Sequence, residues 1–184
     1  MRKTLICLTA LVLALGVAGC NQRTDKDEGN VILSITDFDG LTSEVSVNNA
    51  NLTGVVSIGE VTTTSFPKDS SGPTSNLMDI ELRSYEVTFT RADRGTRNPP
   101  ARVAGIFGNV PVGGTNTIEN LRIMSFEQLN STPLSDLLFQ NGGFDKETGE
   151  DSIQVNCHLT FFGRTLAGDD IRSNTATWVI QFTP

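Results

Sequence analysis

The feature that most constrains the fold is a strict two-residue alternation near the C-terminus. Apolar residues occupy every second position of the segment 153–161, and polar residues fill the positions between them. The same period of apolar positions recurs in the segment 176–182. Because successive side chains of a strand point to opposite faces of a sheet, this period predicts two strands that each bury one face. The residues 166–170 between them are typical of a turn.

Short segments of this kind continue along the chain from residue 31 and are separated by turn residues such as Gly, Pro and Asn. That pattern predicts an all-β sandwich or barrel. The candidate strands are 31–36, 42–48, 52–66, 77–92, 101–108, 115–124, 152–163 and 171–183. On the apolar face of the last strand, Trp178 is predicted to be buried between the sheets.

One segment breaks the β pattern. Ser131 and Thr132 offer capping hydroxyls before Pro133, whose fixed φ suits the first turn of a helix. The three leucines that follow share one helical face. The sequence therefore predicts one short helix over 131–139, in a crossover between two sheets.

The N-terminus has the layout of an export signal. A basic start at Arg2 and Lys3 precedes an apolar stretch, 5–17, that is too short for a stable membrane span. The stretch ends in Val17-Ala18-Gly19-Cys20, which resembles the lipobox of bacterial lipoproteins. The resemblance implies cleavage before Cys20, transfer of a diacylglyceryl group to its thiol and often acylation of its amine. An ordinary signal peptide or an uncleaved apolar anchor is the alternative.

The chain divides into three parts. The lipobox resemblance implies a signal peptide at 1–19 and a lipidated Cys20. The segment 21–30 has no apolar residue and is predicted to be a flexible polar tether, and the length and strand pattern of 31–184 predict a single domain. The resemblance also implies an exported protein that is attached to the bacterial membrane through the lipid on Cys20. Asn21 stands where Gram-negative relatives retained at the inner membrane often have Asp, and this favours the outer membrane.

A second resemblance concerns the domain itself. Three parts of the chain are similar to a set of uncharacterised bacterial envelope lipoproteins, namely Ser84–Asp93, Pro133-Leu134 and Leu159–Asp169. That set has a final hairpin of the form aromatic-Gly-Arg, a few residues, then Gly. The resemblance implies an immunoglobulin-like antiparallel β-sandwich of about seven or eight strands, and it implies no activity.

Charge and composition exclude several function classes. Without the signal peptide the chain has 12 basic and 21 acidic side chains, a formal charge of −9, so no nucleic-acid partner is expected. Once Cys7 is removed and Cys20 is acylated, Cys157 has no cysteine with which to form an intrachain disulfide. A single histidine, His158, does not provide a Cys/His zinc cluster, and no cofactor motif is present.

Candidate catalytic groups are few. His158 lies on the polar face of its strand and is expected at the surface, whereas Cys157 lies on the apolar face and is expected to be a buried free thiol. Two acidic turns, 37–40 and 145–151, offer oxygen ligands for Ca²⁺ but lack EF-hand spacing. Solvated turns are the alternative, and the sequence assigns no metal site.

One basic loop stands out on this acidic chain. Arg91, Arg94 and Arg97 could recognise a carboxylate or an acidic partner, and we take them as candidate partner-binding residues. In an immunoglobulin-like topology the loops 93–100 and 125–151 would lie at the end away from the tether. Loops on a rigid scaffold are where binding residues concentrate.

The sequence therefore predicts a non-catalytic binding or assembly module of the bacterial envelope, not an enzyme. Its expected partners are the membrane, through the lipid on Cys20, and a protein or an envelope polymer. Two alternatives stay open at this point. One is an envelope hydrolase that uses a pair of carboxylates, and the other is a small-ligand carrier with a wide apolar interior.

Overall fold

The computed structural model of the chain describes residues 29–41 and 43–184. The predicted signal peptide, Cys20 and most of the predicted tether lie outside the described residues. The strands are β1 (Val31–Asp39), β2 (Glu44–Ser46), β3 (Val55–Pro67), β4 (Ile80–Arg91), β5 (Arg102–Val110), β6 (Thr115–Ser125), β7 (Ile153–Thr165), β8 (Asp170–Arg172) and β9 (Ala176–Thr183). The helices are α1 (Val47–Thr53) and α2 (Phe126–Leu129), and 3-10 turns span Asn76–Met78, Leu134–Leu137 and Phe139–Asn141. Within the described ranges, no helix has the length and apolar character needed to cross a bilayer.

The strands form two sheets. One sheet has three strands in the order β1-β3-β6, and the other has the order β2-β9-β7-β4-β5, with β8 also paired to β7. Neighbouring strands are antiparallel except β2 and β9, which run parallel. The all-β class is thus confirmed as a mostly β protein with two sheets. The prediction of antiparallel pairing throughout is wrong for β2. This strand follows β1 of the three-stranded sheet and pairs with β9 on the edge of β9 opposite β7, where it runs parallel.

The core lies between the sheets and follows the two-residue period of the sequence. Five alternate side chains of β7 are fully buried: Ile153, Val155, Cys157, Leu159 and Phe161. The Tyr85 hydroxyl of β4 donates to the backbone oxygen of Arg122 in β6 at 2.6 Å, and this hydrogen bond joins the two sheets. The prediction of a buried free thiol at Cys157 is confirmed.

Trp178 is less buried than predicted. It lies on the core-facing side of β9 but is only partly buried, and it packs against Phe38 of β1 with ring centroids 5.8 Å apart. The neighbouring strand β2 pairs only with residues 181–183 of β9, so Trp178 lies where that side of β9 is not covered by a strand. The prediction that Trp178 is buried between the sheets is therefore wrong.

The segment predicted as strands 42–48 and 52–66 contains a helix. The Ser46 side chain accepts a hydrogen bond from the Asn49 N–H at 3.4 Å and caps the start of α1. The helix ends at Gly54, whose φ of 75° is a left-handed conformation that glycine adopts without strain. The asparagines within α1 disfavour a strand. The capping Ser46 and the terminal Gly54 are the sequence signals that mark the two ends of this helix.

The predicted strand 171–183 is two strands, β8 and β9. Between them, the Ser173 hydroxyl oxygen accepts a hydrogen bond from the Phe161 N–H at 2.9 Å. The Asn174 side-chain oxygen accepts from the Ile35 N–H of β1 at 2.7 Å. The Ser173 bond continues the pairing within the larger sheet, and the Asn174 bond ties that sheet to β1 of the smaller one. An apolar alternation does not reveal either bond.

The predicted helix over 131–139 is wrong in form. The crossover between β6 and β7 begins instead with α2, where the Gln128 side chain accepts a hydrogen bond from the Ser125 N–H at 2.9 Å. Two 3-10 turns occupy the leucine-rich segment, and the leucines are buried as their spacing suggested: Leu134, Leu137 and Leu138. A 3-10 turn directs these closely spaced leucines towards the core as readily as an α-helix does.

The two ends of the sandwich are distinct. The described chain begins at Gly29, and the oxygen of Asn30 accepts a hydrogen bond from the Lys68 N–H at 2.9 Å. We name this the entry end, and it contains the connections 68–79, 111–114 and 166–169. The opposite, distal end contains the connections 92–101 and 126–152 and the C-terminus. The distal position of the loops 93–100 and 125–151 agrees with the one predicted from the sequence.

Gly163 in β7 is required by the close approach of β4. A Cβ at position 163 would lie 2.7 Å from the Glu81 oxygen and 2.9 Å from Ile80 Cγ2. Gly163→Ala is expected to lower the free energy of unfolding by about 1–3 kcal/mol, as overpacking does. Gly105→Ala in β5 is the control, because a Cβ there would lie 3.9 Å from the Arg83 oxygen. Urea titration followed by circular dichroism measures both variants, and equal losses would contradict this explanation.

Candidate functional site

A network of arginines and carboxylates lies at the distal end. Its centre is Arg91, the last residue of β4, whose side chain is only 3% exposed. Arg91 Nε donates to Asp93 Oδ1 at 2.6 Å, and a terminal nitrogen of the same guanidinium donates to Asp145 Oδ2 at 2.7 Å. The Asp145 side chain is fully buried. A buried ion pair therefore joins the end of β4 to the crossover between β6 and β7.

Arg97 extends the network from the loop between β4 and β5. One terminal nitrogen lies 3.2 Å from Asp136 Oδ2 and 3.5 Å from Asp145 Oδ1, while Nε donates to Glu147 Oε2 at 3.3 Å. Lys146 Nζ lies 3.4 Å from the other oxygen of Asp136. The loop is thus fastened to the crossover by several charge-assisted contacts.

The network holds its buried carboxylates in the charged form. Burial alone would raise the pKa of Asp145, but hydrogen bonds from Arg91, from the Glu147 N–H and from the Thr148 hydroxyl lower it overall. Burial would likewise raise the pKa of Asp93, and its hydrogen bonds, first that from Arg91, again lower it. Carboxylates held in this way are suited to anchoring a loop and unsuited to donating a proton.

Glu147 accepts hydrogen bonds from the loop between β4 and β5 through both of its carboxylate oxygens. Its oxygens accept from the Thr96 hydroxyl, from the Thr96 N–H at 2.8 Å and from the Arg97 N–H at 3.1 Å. These bonds, the one from the Thr96 hydroxyl first, lower the pKa of Glu147 to about 2. The crossover is therefore hydrogen-bonded to the backbone of the loop between β4 and β5 as well as to the Arg97 side chain.

The three candidate partner-binding arginines occupy different environments. Arg91 is buried, and the charge of Arg97 is neutralised by carboxylates of the protein itself. Arg94 is exposed and lines a groove of about 510 Å³, together with Asp93, Glu147, Thr148, Glu150, Ser152 and Gln154. The expectation of a basic loop is therefore wrong, because the fold brings carboxylates to it and leaves an acidic groove with one arginine.

Sequence reasoning missed the carboxylates that pair with the arginines. Asp93 follows Arg91 by two residues, and this spacing was a local signal that could have been used. Asp145 is 54 residues from Arg91, and Asp136 is 39 residues from Arg97. No sequence pattern links residues so far apart, since only the return of the crossover over the distal end brings them together.

Each acidic turn uses part of its carboxylates for contacts within the protein. In the turn 145–151, Asp145 is committed to arginine, and in the turn 37–40 the Asp39 carboxylate accepts from the Gly40 N–H at 2.7 Å. Asp39 also lines a shallow groove of about 290 Å³ with two further carboxylates, Glu60 and Glu119. Across residues 29–41 and 43–184, no three His, Cys, Asp or Glu side chains are grouped closely enough to hold a metal ion.

The lone imidazole lies between two hydroxyls on the outer face of the larger sheet. His158 Nε2 lies 3.0 Å from the Thr90 hydroxyl, and Nδ1 lies 2.9 Å from the Thr177 hydroxyl. A catalytic triad requires a carboxylate on one ring nitrogen, and threonine occupies both positions here. Cys157 faces the opposite way, into the core, where burial raises the pKa of its thiol and keeps it protonated.

Exposed apolar side chains accompany the network at the distal end. Leu52 of α1 is 87% exposed and Phe139 is 72% exposed, while Phe126 of α2 and Phe144 are about half exposed. We name these four residues the distal apolar surface. The helices that carry Leu52 and Phe126 are linked, because the Asn130 side chain donates to the Asn51 side chain at 2.7 Å and to the Phe126 oxygen at 2.9 Å. Large exposed apolar side chains concentrated in one region are typical of interaction sites.

Comparisons with known proteins assign no family. No protein-family model matches the chain, and a search of curated proteins found no match. A crystal structure of a protein from Archaeoglobus fulgidus is 9% identical, with 84% of this chain and 94% of that chain covered and a TM-score of 0.37. A solution structure of a protein from Arabidopsis thaliana is 15% identical, with 89% and 94% covered and a TM-score of 0.38. With TM-scores of 0.37 and 0.38, these two similarities support no conclusion about function.

Asp145→Asn tests the buried ion pair. The change removes the charge that balances Arg91 and is expected to lower the free energy of unfolding by about 3 kcal/mol, because it leaves a buried guanidinium under-compensated. Asp151→Asn, at an exposed position of the same turn, is the control and should change stability by less than about 0.5 kcal/mol. Urea unfolding measures both, and a neutral result for Asp145→Asn would show that the pair does not hold the distal end.

The pKa of Glu147 predicts an acid-sensitive distal end. Because folding lowers this pKa from 4.5 to about 2, the stabilisation is fully present above pH 4.5 and is lost as the pH falls towards 2. Glu147→Gln should therefore be less stable than the natural protein at pH 7, and the difference should shrink between pH 4.5 and pH 2. Glu150→Gln, at an exposed carboxylate nearby, is the control. A difference that is constant over this pH range would rule out the assigned role of Glu147.

Proposed function

We propose that the chain is a lipid-anchored protein of the bacterial envelope that acts as a non-catalytic binding or assembly module. The lipid on Cys20 holds it to a membrane, the outer membrane where there are two, and the distal end contacts a protein or an envelope polymer. One observation carries this proposal: the described chain starts at the entry end, while the ion-paired loops and the distal apolar surface lie at the opposite end.

We further assign the domain to the immunoglobulin-like type of sandwich. The strand order supports this, because β1, β3 and β6 correspond to strands A, B and E, and β9, β7, β4 and β5 correspond to G, F, C and C′. The inter-sheet disulfide of antibody domains has no counterpart among the described residues. Cys157 lies on β7, the strand that would carry one of its cysteines, and it is a free thiol in the core.

Two features favour binding over the alternatives. A glycosidase-type hydrolase needs a carboxyl group whose pKa is raised, whereas Asp93 and Glu147, which line the distal groove, have lowered pKa values. A small-ligand carrier needs an apolar cavity between its sheets. The space between these sheets is filled by packed side chains such as Phe161 and Phe182, and the 510 Å³ groove lies at the surface and is lined by charged and polar residues.

The anchor is tested by the intact mass of the protein extracted from bacterial membranes with detergent. We expect a chain that begins at Cys20 and carries additional acyl mass. Cys20→Ser should abolish the acyl mass and leave an unprocessed precursor. Asn21→Ser, at the adjacent position, is the control and should be processed normally. A mature chain without lipid would refute the anchor.

The binding surface is tested by photo-crosslinking in cells. A photoreactive amino acid at Phe139 is expected to give a discrete adduct with a partner, and Arg94→Glu should weaken it without unfolding the domain. The control position is Phe107 of β5, which is even more exposed but lies on a sheet edge away from the distal apolar surface. Equal adducts from both positions, or adducts from Phe107 alone, would place the binding surface elsewhere.

A further inference from the structure

The entry end carries its own exposed apolar side chains. Ile32 of β1 and Phe66 of β3 are directly opposite each other in the three-stranded sheet, and both are about half exposed. Leu77 and Leu166, from two connections of the larger sheet, are exposed to a similar degree. We name these four residues the entry apolar group.

Backbone hydrogen bonds fix Leu77 and Leu166 beside each other. The Leu166 N–H donates to the Asp79 oxygen at 3.0 Å, and the Ala167 N–H donates to the Leu77 oxygen at 2.9 Å. The turn after β7 therefore pairs with the 3-10 turn before β4. These bonds hold both leucines where the larger sheet ends.

The chain enters between the two halves of the entry apolar group. On one side, the Asn30 oxygen accepts from the Lys68 N–H at the end of β3. On the other side, Gly29 packs against Thr165, the residue before Leu166, since a Cβ at position 29 would lie 3.3 Å from Thr165 Cγ2. The described chain thus begins with exposed apolar side chains on both sides of it.

We propose that the entry apolar group rests on the membrane, so that its partner is a lipid surface. The inference rests on the proposed lipid anchor at Cys20. Only the eight residues 21–28 separate Cys20 from Gly29, which limits the distance between them to about 30 Å. So short a connection gives the entry end an effective concentration on the order of millimolar at the surface, and a weak apolar contact is then sufficient.

The charges of the entry end favour a zwitterionic surface. Asp69, Asp79 and Asp169 accept hydrogen bonds from neighbouring groups of the protein, and Asp170 lies 3.6 Å from Arg164. The acidic net charge of the domain repels anionic lipid. Apolar contact is therefore the attraction, and neutral phosphatidylcholine and phosphatidylethanolamine headgroups fit it best.

The test uses the full chain, extracted with its lipid and reconstituted into vesicles of these two lipids that also contain doxyl-labelled phosphatidylcholine. Leu166→Cys and Phe139→Cys are each labelled with a thiol-reactive fluorophore, and the buried thiol of Cys157 does not compete. We expect the doxyl lipid to quench the label at position 166 at least about threefold more than the label at 139, because quenching by doxyl lipid requires contact with the bilayer. Equal quenching in a protein that carries acyl mass would overturn the membrane contact while leaving the anchor intact.

A second variant separates contact from attachment. Phe66→Glu combined with Leu77→Glu should reduce quenching at position 166 to the level at 139, with acyl mass and circular dichroism spectrum unchanged. Leu52→Glu combined with Phe126→Glu, at the distal end, is the matched control and should leave the quenching as it was. Full quenching in the entry-end variant would overturn the membrane contact. A chain without acyl mass would overturn both this inference and the proposed function.

Discussion

The buried ion pair between Arg91 and Asp145 is the interaction on which the distal end depends. A guanidinium with a side chain only 3% exposed is costly unless its charge is balanced nearby, and Asp93 and Asp145 balance it at 2.6 and 2.7 Å. The carboxylates come from two different connections. The pair therefore fixes how the long crossover lies over the end of β4, and through Arg97 and Glu147 it also fixes the loop between β4 and β5.

This arrangement gives the sandwich two ends with different physical character. The distal end is held by ion pairs and presents apolar side chains on short helices and turns, so its shape is set by contacts within the protein. The entry end is built from short connections around the point where the described chain begins. In the function that we propose, a rigid distal surface would lose little conformational entropy on binding a partner.

The sequence predicts those features that depend on local periodicity. The alternation at 153–161 correctly identified the inward side of β7, including the buried thiol of Cys157. Local signals also existed for α1, where Ser46 and Gly54 mark the ends, although the strand pattern around them concealed the helix. The ion pairs were not predictable, because residues such as Arg91 and Asp145 meet only when the chain between them has folded. Because these carboxylates are distant in sequence, Arg91, Arg94 and Arg97 were predicted to form a basic patch.

Amide hydrogen exchange measured by NMR tests the central claim, that ion pairs hold the distal end rigid. The N–H groups of Thr96 and Arg97 donate to Glu147, and the Glu147 N–H donates to Asp145 at 3.1 Å. We expect these amides to exchange nearly as slowly as strand amides, and much faster in Asp145→Asn. The Ser71 N–H, bonded within an exposed turn of the entry end, provides the reference for fast exchange. Distal amides that exchange as fast as Ser71 in the natural protein would contradict the claim.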